Sequence, residues 1–483
     1  MRKLLKSAGV LAILGTMGGL LYLQTPCPLK PDADVIRAAA SQYNVRIIRD
    51  EWGVPHIFGK TDADASFGLG YAHAEDDWKH IQESVMSARG MTAQYKGKDS
   101  APQDYLYDLF KVREAVEAKY ETDLKPATRA VVRAAVAAIN LYGIEHPDKV
   151  APGMLPVTEH DLVAGYTWMT PFFYRLDGKL EELFTDENKP AVSPWQQQSS
   201  LNLPEAVRGS NGFAIAPSRS ADGHTRLIVN SHQPMNGLYA WYEAHMVSEE
   251  GLNIAGASFP GTPILAQGVT PNLGWTHTVN QPDLVDVYVL ETNREKKPTQ
   301  YKLDGQWRDF EKTKSKFRVK LFGPFSLPIT RDVLWSEHGP VLETPTGHYA
   351  IKFAGLGEVT AVQQWYEMGK ATNMAQWRKA MGLSQSQAIG LGDAINHLSN
   401  NMNASAPGLV DIIRRQGAVA QTAGLAEVEI AALSAAFLSG GASPEIAATG
   451  LKNFLGALTD GEAMTTRQSN VMKTLGIDAV ELS

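Results

Sequence analysis

Two patterns of apolar and polar positions divide the chain. Over residues 127–142, apolar residues recur at helical spacing and predict an amphipathic helix. Residues 45–57 alternate on either side of Trp52-Gly53, which predicts two short strands around a turn. Further strands are predicted at 240–247, 301–307, 316–322 and 348–354. The pattern predicts an α+β protein whose first half is rich in helix and whose second half is rich in strand.

The clearest strand pattern is a pair of short apolar runs at 211–217 and 225–231, separated by a polar turn that contains Asp222-Gly223. Such a pattern predicts a β-hairpin. Ser210 then lies at the start of the first strand and His232 at the end of the second. This hairpin is the element around which we expect the functional site to be built.

The residues before this hairpin favour self-cleavage. Residues 186–209 are polar, contain three prolines and show no periodicity, as is typical of an exposed linker. Gly209-Ser210 ends this linker, and cleavage between the two would give Ser210 a free α-amino group. That group has a pKa near ~8, so at neutral pH it can act as a base for its own hydroxyl. Gly209 and Ser210 are therefore the predicted cleavage residues.

The start of the chain predicts export. Three basic residues precede an apolar run from Ala8 to Leu23, so residues 1–26 read as a signal peptide or an anchor. We therefore expect a periplasmic or secreted protein, with anchoring in the inner membrane as the alternative. The single cysteine, Cys27, cannot form an internal disulfide. The formal net charge of −7 does not suggest a nucleic-acid partner.

Several blocks together resemble the penicillin acylase family of N-terminal-nucleophile hydrolases, in particular its acyl-homoserine lactone and lipopeptide acylases. They are Arg-Gly-Ser-Asn-Gly-Phe at 208–213, Asn-Ser-His at 230–232, Gly-Tyr-Ala-His-Ala-Glu-Asp at 70–76, and Trp-Thr at 275–276 followed by two aspartates. The resemblance implies a four-layer αββα fold. It divides the chain into an α-chain region (35–185), a spacer propeptide (186–209) and a β-chain region (210–381), with the α and β chains forming a heterodimer after cleavage.

The resemblance also implies the catalytic roles. Ser210 is the nucleophile, His232 lies beside its amine, and the backbone N–H of Val279 stabilises the oxyanion. The family's second oxyanion donor, an asparagine, cannot be placed and is expected beyond residue 381. The implied substrate is an N-acylated small molecule of the penicillin, homoserine-lactone or lipopeptide type. Residues 169–174 are expected either to form part of an acyl pocket or to pack in the core.

A calcium ion is a further implication of the resemblance, and no organic cofactor is expected. The ligands would be Asp283, Asp286, the carbonyl of Val285 and, from the first half, Glu181. Oxygen ligands of this kind suit calcium. Without the resemblance, two aspartates in a loop are more commonly just solvated.

The composition changes near residue 382. All ten tryptophans lie at or before Trp377 and all sixteen tyrosines at or before Tyr366, after which the chain is rich in alanine, glycine and serine. Residues 382–483 are similar to a phage tail tape-measure protein and predict helices. We expect a truncated acylase joined to this helical segment; the alternative is a divergent acylase C-terminus.

Three functions stay open at this point. The first is an exported amidohydrolase that matures by self-cleavage. The second is an inactive acylase remnant fused to a phage structural segment, in which missing strands leave apolar faces and sheet edges uncovered. The third is an interaction protein that assembles through its helical tail.

Overall fold

The computed structural model describes residues 19, 23, 31–174, 176–185, 210–278, 284–344, 347–382, 402, 405, 408–413, 415–416 and 427–459. The chain forms two compact units, Met1–Met374 and Ala375–Ser483. The predicted signal or anchor at 1–26 lies outside the described residues except for Gly19 and Leu23, and the spacer at 186–209 lies outside them entirely. In the described part of the chain, no helix is both long and apolar enough to cross a membrane.

Helices dominate the first 185 residues of the first unit. Its described helices are α1 (Ala33–Ala40), α2 (Asp62–Ser87), α3 (Thr92–Lys96), α4 (Ala101–Leu109), α5 (Val112–Asp123), α6 (Pro126–Glu145), α7 (Glu159–Met169), α8 (Leu176–Thr185) and, after the strands, α9 (Ala361–Lys370) and α10 (Met374–Ala380), which runs across the boundary between the units.

Strands dominate the part after residue 210. They are β1 (Val45–Arg49), β2 (Pro55–Gly59), β3 (Ser210–Ile215), β4 (Arg226–Ser231), β5 (Tyr242–Ser248), β6 (Asn253–Ser258), β7 (Gln267–Val269), β8 (Gly274–Trp275), β9 (Val285–Leu290), β10 (Gln300–Leu303), β11 (Gln306–Asp309), β12 (Glu311–Phe322), β13 (Phe325–Ser336), β14 (Gly339–Thr344) and β15 (Gly347–Phe353). The mixed helix and strand content agrees with the sequence pattern.

The long helices α2 and α6 pack closely against each other. Thr61 and Asp64 form a reciprocal capping box at the start of α2, which satisfies the exposed N–H groups of its first turn. At the contact, a Cβ on Gly70 would lie about 3.2 Å from the Cβ of Ala138, so only glycine allows this approach without a shift. The predicted helix over 127–142 is confirmed within α6.

A six-stranded sheet has the order β1-β2-β5-β6-β7-β8. Strands β1 and β2 form the hairpin predicted around Trp52-Gly53. Strand β5 then pairs in parallel with β2, with His245 opposite His56. This pairing joins the regions before and after the predicted spacer into one sheet.

The second sheet has the order β12-β13-β14-β15-β9, so β12 and β9 are its edges. Strands predicted at 316–322 and 348–354 are confirmed in β12 and β15. The single strand predicted at 301–307 is wrong. Residues 300–309 form a separate hairpin, β10–β11, because Asp304 and Gly305 both adopt positive φ and turn the chain.

The second unit is helical where it is described. Helices α11 (Glu427–Ser439) and α12 (Pro444–Thr459) follow each other across a turn in which Gly441 has a φ of +86°. They share an apolar core with residues 409–412, built from Leu409, Ile412, Ile430, Ala435, Leu438, Ala447, Ala448 and Leu451. Described residues after 382 contribute no strand to either sheet, as predicted.

Candidate active site

The predicted hairpin around Asp222-Gly223 is confirmed as β3–β4. Ser210 is the first residue of β3 and pairs with Ser231, and the register continues to Ile215 opposite Arg226. Asp222 stabilises the turn by accepting hydrogen bonds from Arg226 and Ser220, which hold the pKa of this carboxyl well below its usual range. The structure therefore presents Ser210 at the beginning of a strand; Gly209 lies outside the described residues.

The fold implied by the family resemblance would place Ser210 at the head of a central strand, but the described hairpin does not belong to a larger sheet. Among the described strands, β3 and β4 pair only with each other. Phe213 and Ile228 lie opposite each other and are 59% and 48% exposed. Large apolar side chains on a strand are normally covered by another layer. The uncovered apolar face agrees with the expectation for a chain that lacks strands.

His232 is held by two asparagines of the hairpin. Its Nε2 accepts hydrogen bonds from the side-chain amides of Asn211 at 3.1 Å and Asn230 at 3.2 Å. These two asparagines are directly opposite each other, and side chains alternate between the two faces of a strand. Ser210 and Ser231 therefore occupy the other face. The position of His232 beside the Ser210 amine stays a prediction, and strand alternation places the Ser210 hydroxyl on the face opposite the His232 ring.

The sequence reasoning missed Gln267, which lies on the Ser210 side of the hairpin. This buried side chain donates from Nε2 to Ser231 Oγ at 3.4 Å. Its Oε1 accepts from Thr276 Oγ1 at 2.9 Å and from the backbone N–H of His277 at 3.1 Å. Gln267 therefore connects the strand opposite Ser210 with the segment that leads to Val279. A single glutamine in an apolar stretch gives no sequence signal of this role.

Gly212 allows the same segment to approach β3. A Cβ at this position would lie 2.6 Å from Thr276 Cγ2, which is closer than real Cβ contacts. The segment that carries Thr276 therefore packs directly on β3, the strand that begins with Ser210. Val279, the predicted oxyanion donor, lies just beyond it and outside the described residues.

An aromatic cluster lies next to this segment and comprises Phe173, Tyr239, Trp241, Phe259 and Trp365. Trp241 stacks on Phe259 with ring centroids 4.2 Å apart, and Phe173 lies 5.5 Å from Phe259. The ring of His277 is 6.0 Å from that of Trp365, which connects the cluster with the Gln267 network. Burial lowers the pKa of His277, which favours a neutral ring.

The cluster encloses a cavity of about 30 Å³, lined in part by Phe173, Phe259 and Trp365. Of the predicted pocket residues 169–174, Phe173 lines the cavity, whereas Met169 and Phe172 are also part of the main apolar core. The segment therefore packs partly in the core, and its role in an acyl pocket stays a prediction.

The predicted calcium ligands are only partly described. Glu181 is buried on α8, and Asp286 is exposed on β9, whose first residue is Val285. Asp283 lies outside the described residues. Within the described ranges, no group of three or more His, Cys, Asp or Glu side chains is arranged to hold a metal ion. The calcium site stays a prediction.

Comparison with known sequences defines the class of protein. The sequence model of the penicillin amidase family matches residues 44–409, and the chain belongs to this family. An acyl-homoserine lactone acylase PvdQ from Pseudomonas fluorescens Pf0-1 is 27% identical over 363 residues, which cover 69% of this chain and 46% of that protein. The acyl-homoserine lactone acylase QuiP from Pseudomonas aeruginosa is 24% identical over 397 residues, 71% of this chain and 46% of the relative. The chain spans about half the length of the curated relatives it matches.

The end of the chain is similar to a different class of protein. A model of phage-related minor tail proteins matches residues 359–483. A probable tape measure protein of Halomonas phage phiHAP-1 is 46% identical over 110 residues, which cover 23% of this chain and 13% of that protein. The two family matches overlap at 359–409, and the boundary predicted near residue 382 falls inside this overlap. Among solved structures, a thermostable penicillin G acylase from Alcaligenes faecalis aligns with a TM-score of 0.29 at 25% identity, covering 35% of this chain and 30% of that one.

Proposed function

We propose that the protein is a penicillin-acylase-type amidohydrolase that cleaves itself between Gly209 and Ser210. The observation that carries this proposal is the position of Ser210. It is the first residue of β3, it directly follows the spacer-like segment, and the Gln267 network packs against its strand. A hydroxyl and an α-amine on the same residue supply both the nucleophile and the base that an N-terminal-nucleophile hydrolase needs.

In the proposed reaction, the Ser210 amine takes the hydroxyl proton while Oγ attacks the carbonyl carbon of the acyl amide. The backbone N–H of Val279 stabilises the oxyanion, and one such donor contributes ~3–4 kcal/mol to transition-state stabilisation. The tetrahedral intermediate then releases the amine, which receives the proton. Water hydrolyses the resulting ester and regenerates Ser210.

The proposed substrate is an N-acyl homoserine lactone, because several relatives carry that substrate in their names. The aromatic cluster beside His277 supports this choice, since it is an apolar surface on which an acyl chain can pack. Penicillin-type and lipopeptide-type amides are the other substrates to compare.

The proposal includes the finer features implied by the family. They are the four-layer αββα arrangement, the heterodimer of α and β chains after cleavage, export to a periplasmic or extracellular space, and a calcium ion held by Asp283, Asp286, Val285 and Glu181. The calcium would be structural, since none of these residues is assigned to the reaction. Direct metal analysis of the purified protein tests it.

A specific observation favours a second candidate, an inactive acylase remnant. The β3–β4 hairpin is separate from both larger sheets, and its apolar face is exposed at Phe213 and Ile228. A nucleophile on an uncovered hairpin lacks the rigid surroundings that catalysis requires. In this case the helical tail would provide any remaining function.

Two measurements on the purified chain distinguish the candidates. Intact-mass analysis should show a chain that begins Ser210-Asn211-Gly212, and Ser210→Ala should stay a single chain. Release of free amine from decanoyl-homoserine lactone should depend on Ser210, with an intact family member as the positive control. Self-cleavage of the chain without hydrolysis of the lactone substrate supports an acylase remnant that still matures. A single uncleaved chain without hydrolysis contradicts the proposed function, as does cleavage at another bond.

A further inference from the structure

The hairpin β12–β13 carries a regular row of positive charge. Lys312, Lys314, Lys316, Arg318 and Lys320 alternate along β12, so all five side chains project from one face of the strand. The residues between them, Ser315 and Val319, are buried on the opposite face. Successive cations lie two residues apart along the strand, so the row from Lys312 to Lys320 spans roughly 27 Å. We call this row the basic ladder.

Within the described residues, one carboxylate pairs with the lysines of the basic ladder. Asp332 on β13 lies 2.7 Å from Lys312 and 2.5 Å from Lys314, and these two ammonium groups hold its pKa at about 2. In the described part of the chain, no carboxylate lies within ion-pair distance of Lys316 or Lys320, and both residues are exposed. The ladder is thus locally cationic, although the whole chain has a net charge of −7.

The tip of the same hairpin is apolar. Leu321 and Phe322 are 48% and 63% exposed at the end of β12, and Leu327 across the turn is 40% exposed. Phe322 packs only against Phe325, with ring centroids 5.2 Å apart, among the described aromatic rings. A row of cations that leads to exposed aromatic and aliphatic side chains matches a membrane interface, where cations meet anionic headgroups and apolar groups enter below them.

A third observation comes from the start of the chain. Arg318 donates from Nη2 to the carbonyl oxygen of Leu23 at 3.2 Å, and it also donates to Ser326. Leu23 is the last residue of the apolar run at 8–23. The end of the most apolar segment of the sequence therefore lies against the basic ladder.

From these three features we propose that the β12–β13 hairpin docks the protein on an anionic phospholipid surface. Lys316 and Lys320 of the basic ladder bind headgroup phosphates, and Phe322 at the tip enters the interface. Each surface lysine near an anionic membrane contributes on the order of 1 kcal/mol, so the exposed Lys316 and Lys320 favour binding despite the net negative charge of the chain. This proposal is independent of any acylase activity.

Co-sedimentation of the full chain with vesicles tests the proposal. We compare vesicles of phosphatidylcholine alone with vesicles that contain one third phosphatidylglycerol. Binding should require the anionic lipid and should weaken as salt is raised from 50 to 300 mM, since exposed charges are screened. Lys316→Gln/Lys320→Gln should lower the apparent affinity at least about tenfold. The matched double variant Lys296→Gln/Lys297→Gln removes two exposed lysines elsewhere and should bind like the parent.

A second measurement reports on the tip itself. In a Cys27→Ser background, Phe322→Cys is labelled with a polarity-sensitive dye, and Gln306→Cys at the exposed β10–β11 turn serves as the control. Anionic vesicles should shift the emission of the Phe322→Cys label to the blue and leave the Gln306→Cys label unchanged.

Three results would overturn the proposal. Equal binding to neutral and anionic vesicles would assign the interaction to the apolar run at 8–23. Binding to soluble polyphosphate without binding to vesicles would identify a different polyanion as the partner. Aggregation of Lys316→Gln/Lys320→Gln with unchanged lipid affinity would show that the lysines only protect the sheet edge, a common role of lysine on edge strands.

Discussion

His56 and His245 face each other across the parallel pair β2–β5, with their Nδ1 atoms 3.0 Å apart. His245 Nε2 lies 3.0 Å from Asn253 Oδ1, so the second nitrogen of this ring also has a hydrogen-bond partner. Asp50 Oδ2 lies 3.5 Å from His56 Nε2, on the far side of that ring. The contact connects the region before the spacer with the region after it, and it was not foreseen from the sequence.

Removing one histidine should therefore weaken the connection between these regions. We expect His56→Ala to lower the free energy of unfolding by about 1 kcal/mol, because Nδ1 of His245 loses its hydrogen-bond partner. Urea unfolding monitored by tryptophan fluorescence measures this change. His224→Ala, at an exposed loop position, is the control and should be neutral. An equal effect of both substitutions would show that the pair contributes nothing specific.

A second prediction concerns pH. His73 is buried on α2 and stacks on Tyr242 with ring centroids 3.9 Å apart, and burial lowers its pKa to about 3. In the unfolded chain a histidine titrates near ~6.5. Below that pH the unfolded state binds a proton that the folded state does not, so stability falls as pH drops from ~6.5 toward the folded value.

His73→Phe keeps an aromatic ring against Tyr242 and removes the titration. We expect the loss of stability between pH 6.5 and 4 to be smaller in this variant than in the parent, with little change at pH 8. Urea midpoints at several pH values measure the difference. His224→Gln removes an exposed histidine and should leave the pH profile as it is. If the urea midpoint of His73→Phe falls with pH as steeply as that of the parent, His73 does not cause the acid sensitivity.

The third prediction uses the close approach of β3 to residue 276. Gly212→Ala places a methyl group 2.6 Å from Thr276 Cγ2, so the segment that leads to Val279 must move away from the Ser210 strand. We expect self-cleavage to slow at least about tenfold, because a small misplacement of reacting groups costs that much. The fraction of cleaved chain over time, read from a denaturing gel, gives the rate.

A compensating substitution tests whether the collision is the cause. Thr276→Ser removes Cγ2 but keeps the hydroxyl that donates to Gln267. The double variant Gly212→Ala/Thr276→Ser should recover most of the cleavage rate, and Thr276→Ser alone should behave like the parent. If the double variant cleaves as slowly as Gly212→Ala, the slower cleavage comes from the changed backbone at residue 212 and not from the collision with Thr276.

The fourth prediction concerns solubility. Phe213 and Ile228 form an exposed cross-strand pair on the hairpin, and exposed apolar strands promote association between molecules. Phe213→Ser/Ile228→Thr should reduce concentration-dependent light scattering while the melting temperature stays within a few degrees. The matched pair Val341→Ser/Ala350→Thr, buried on β14 and β15, should instead destabilise the fold. Unchanged scattering in the first variant would mean that this face is not the one that associates.

Local sequence determined the elements whose signals lie within a few residues. The hairpin around Asp222-Gly223, the start of β3 at Ser210, helix α6 and the helices after residue 427 all follow from short-range periodicity and turn chemistry. Their formation depends mainly on neighbours in the chain. The motifs at 208–213 and 230–232 were also sufficient to indicate the family, because a motif is a property of the sequence itself.

Tertiary structure alone decided which side chains meet. The face on which His232 lies is fixed by the register of β3 and β4, and a shift of one residue reverses every side chain. The contact between His56 and His245 joins residues 189 positions apart, and Gln267 reaches Ser231 across 36. Such contacts depend on how sheets and helices pack, and no local pattern encodes them. The sequence therefore predicted that Ser210 begins a strand, whereas the surroundings of this residue became known only from the fold.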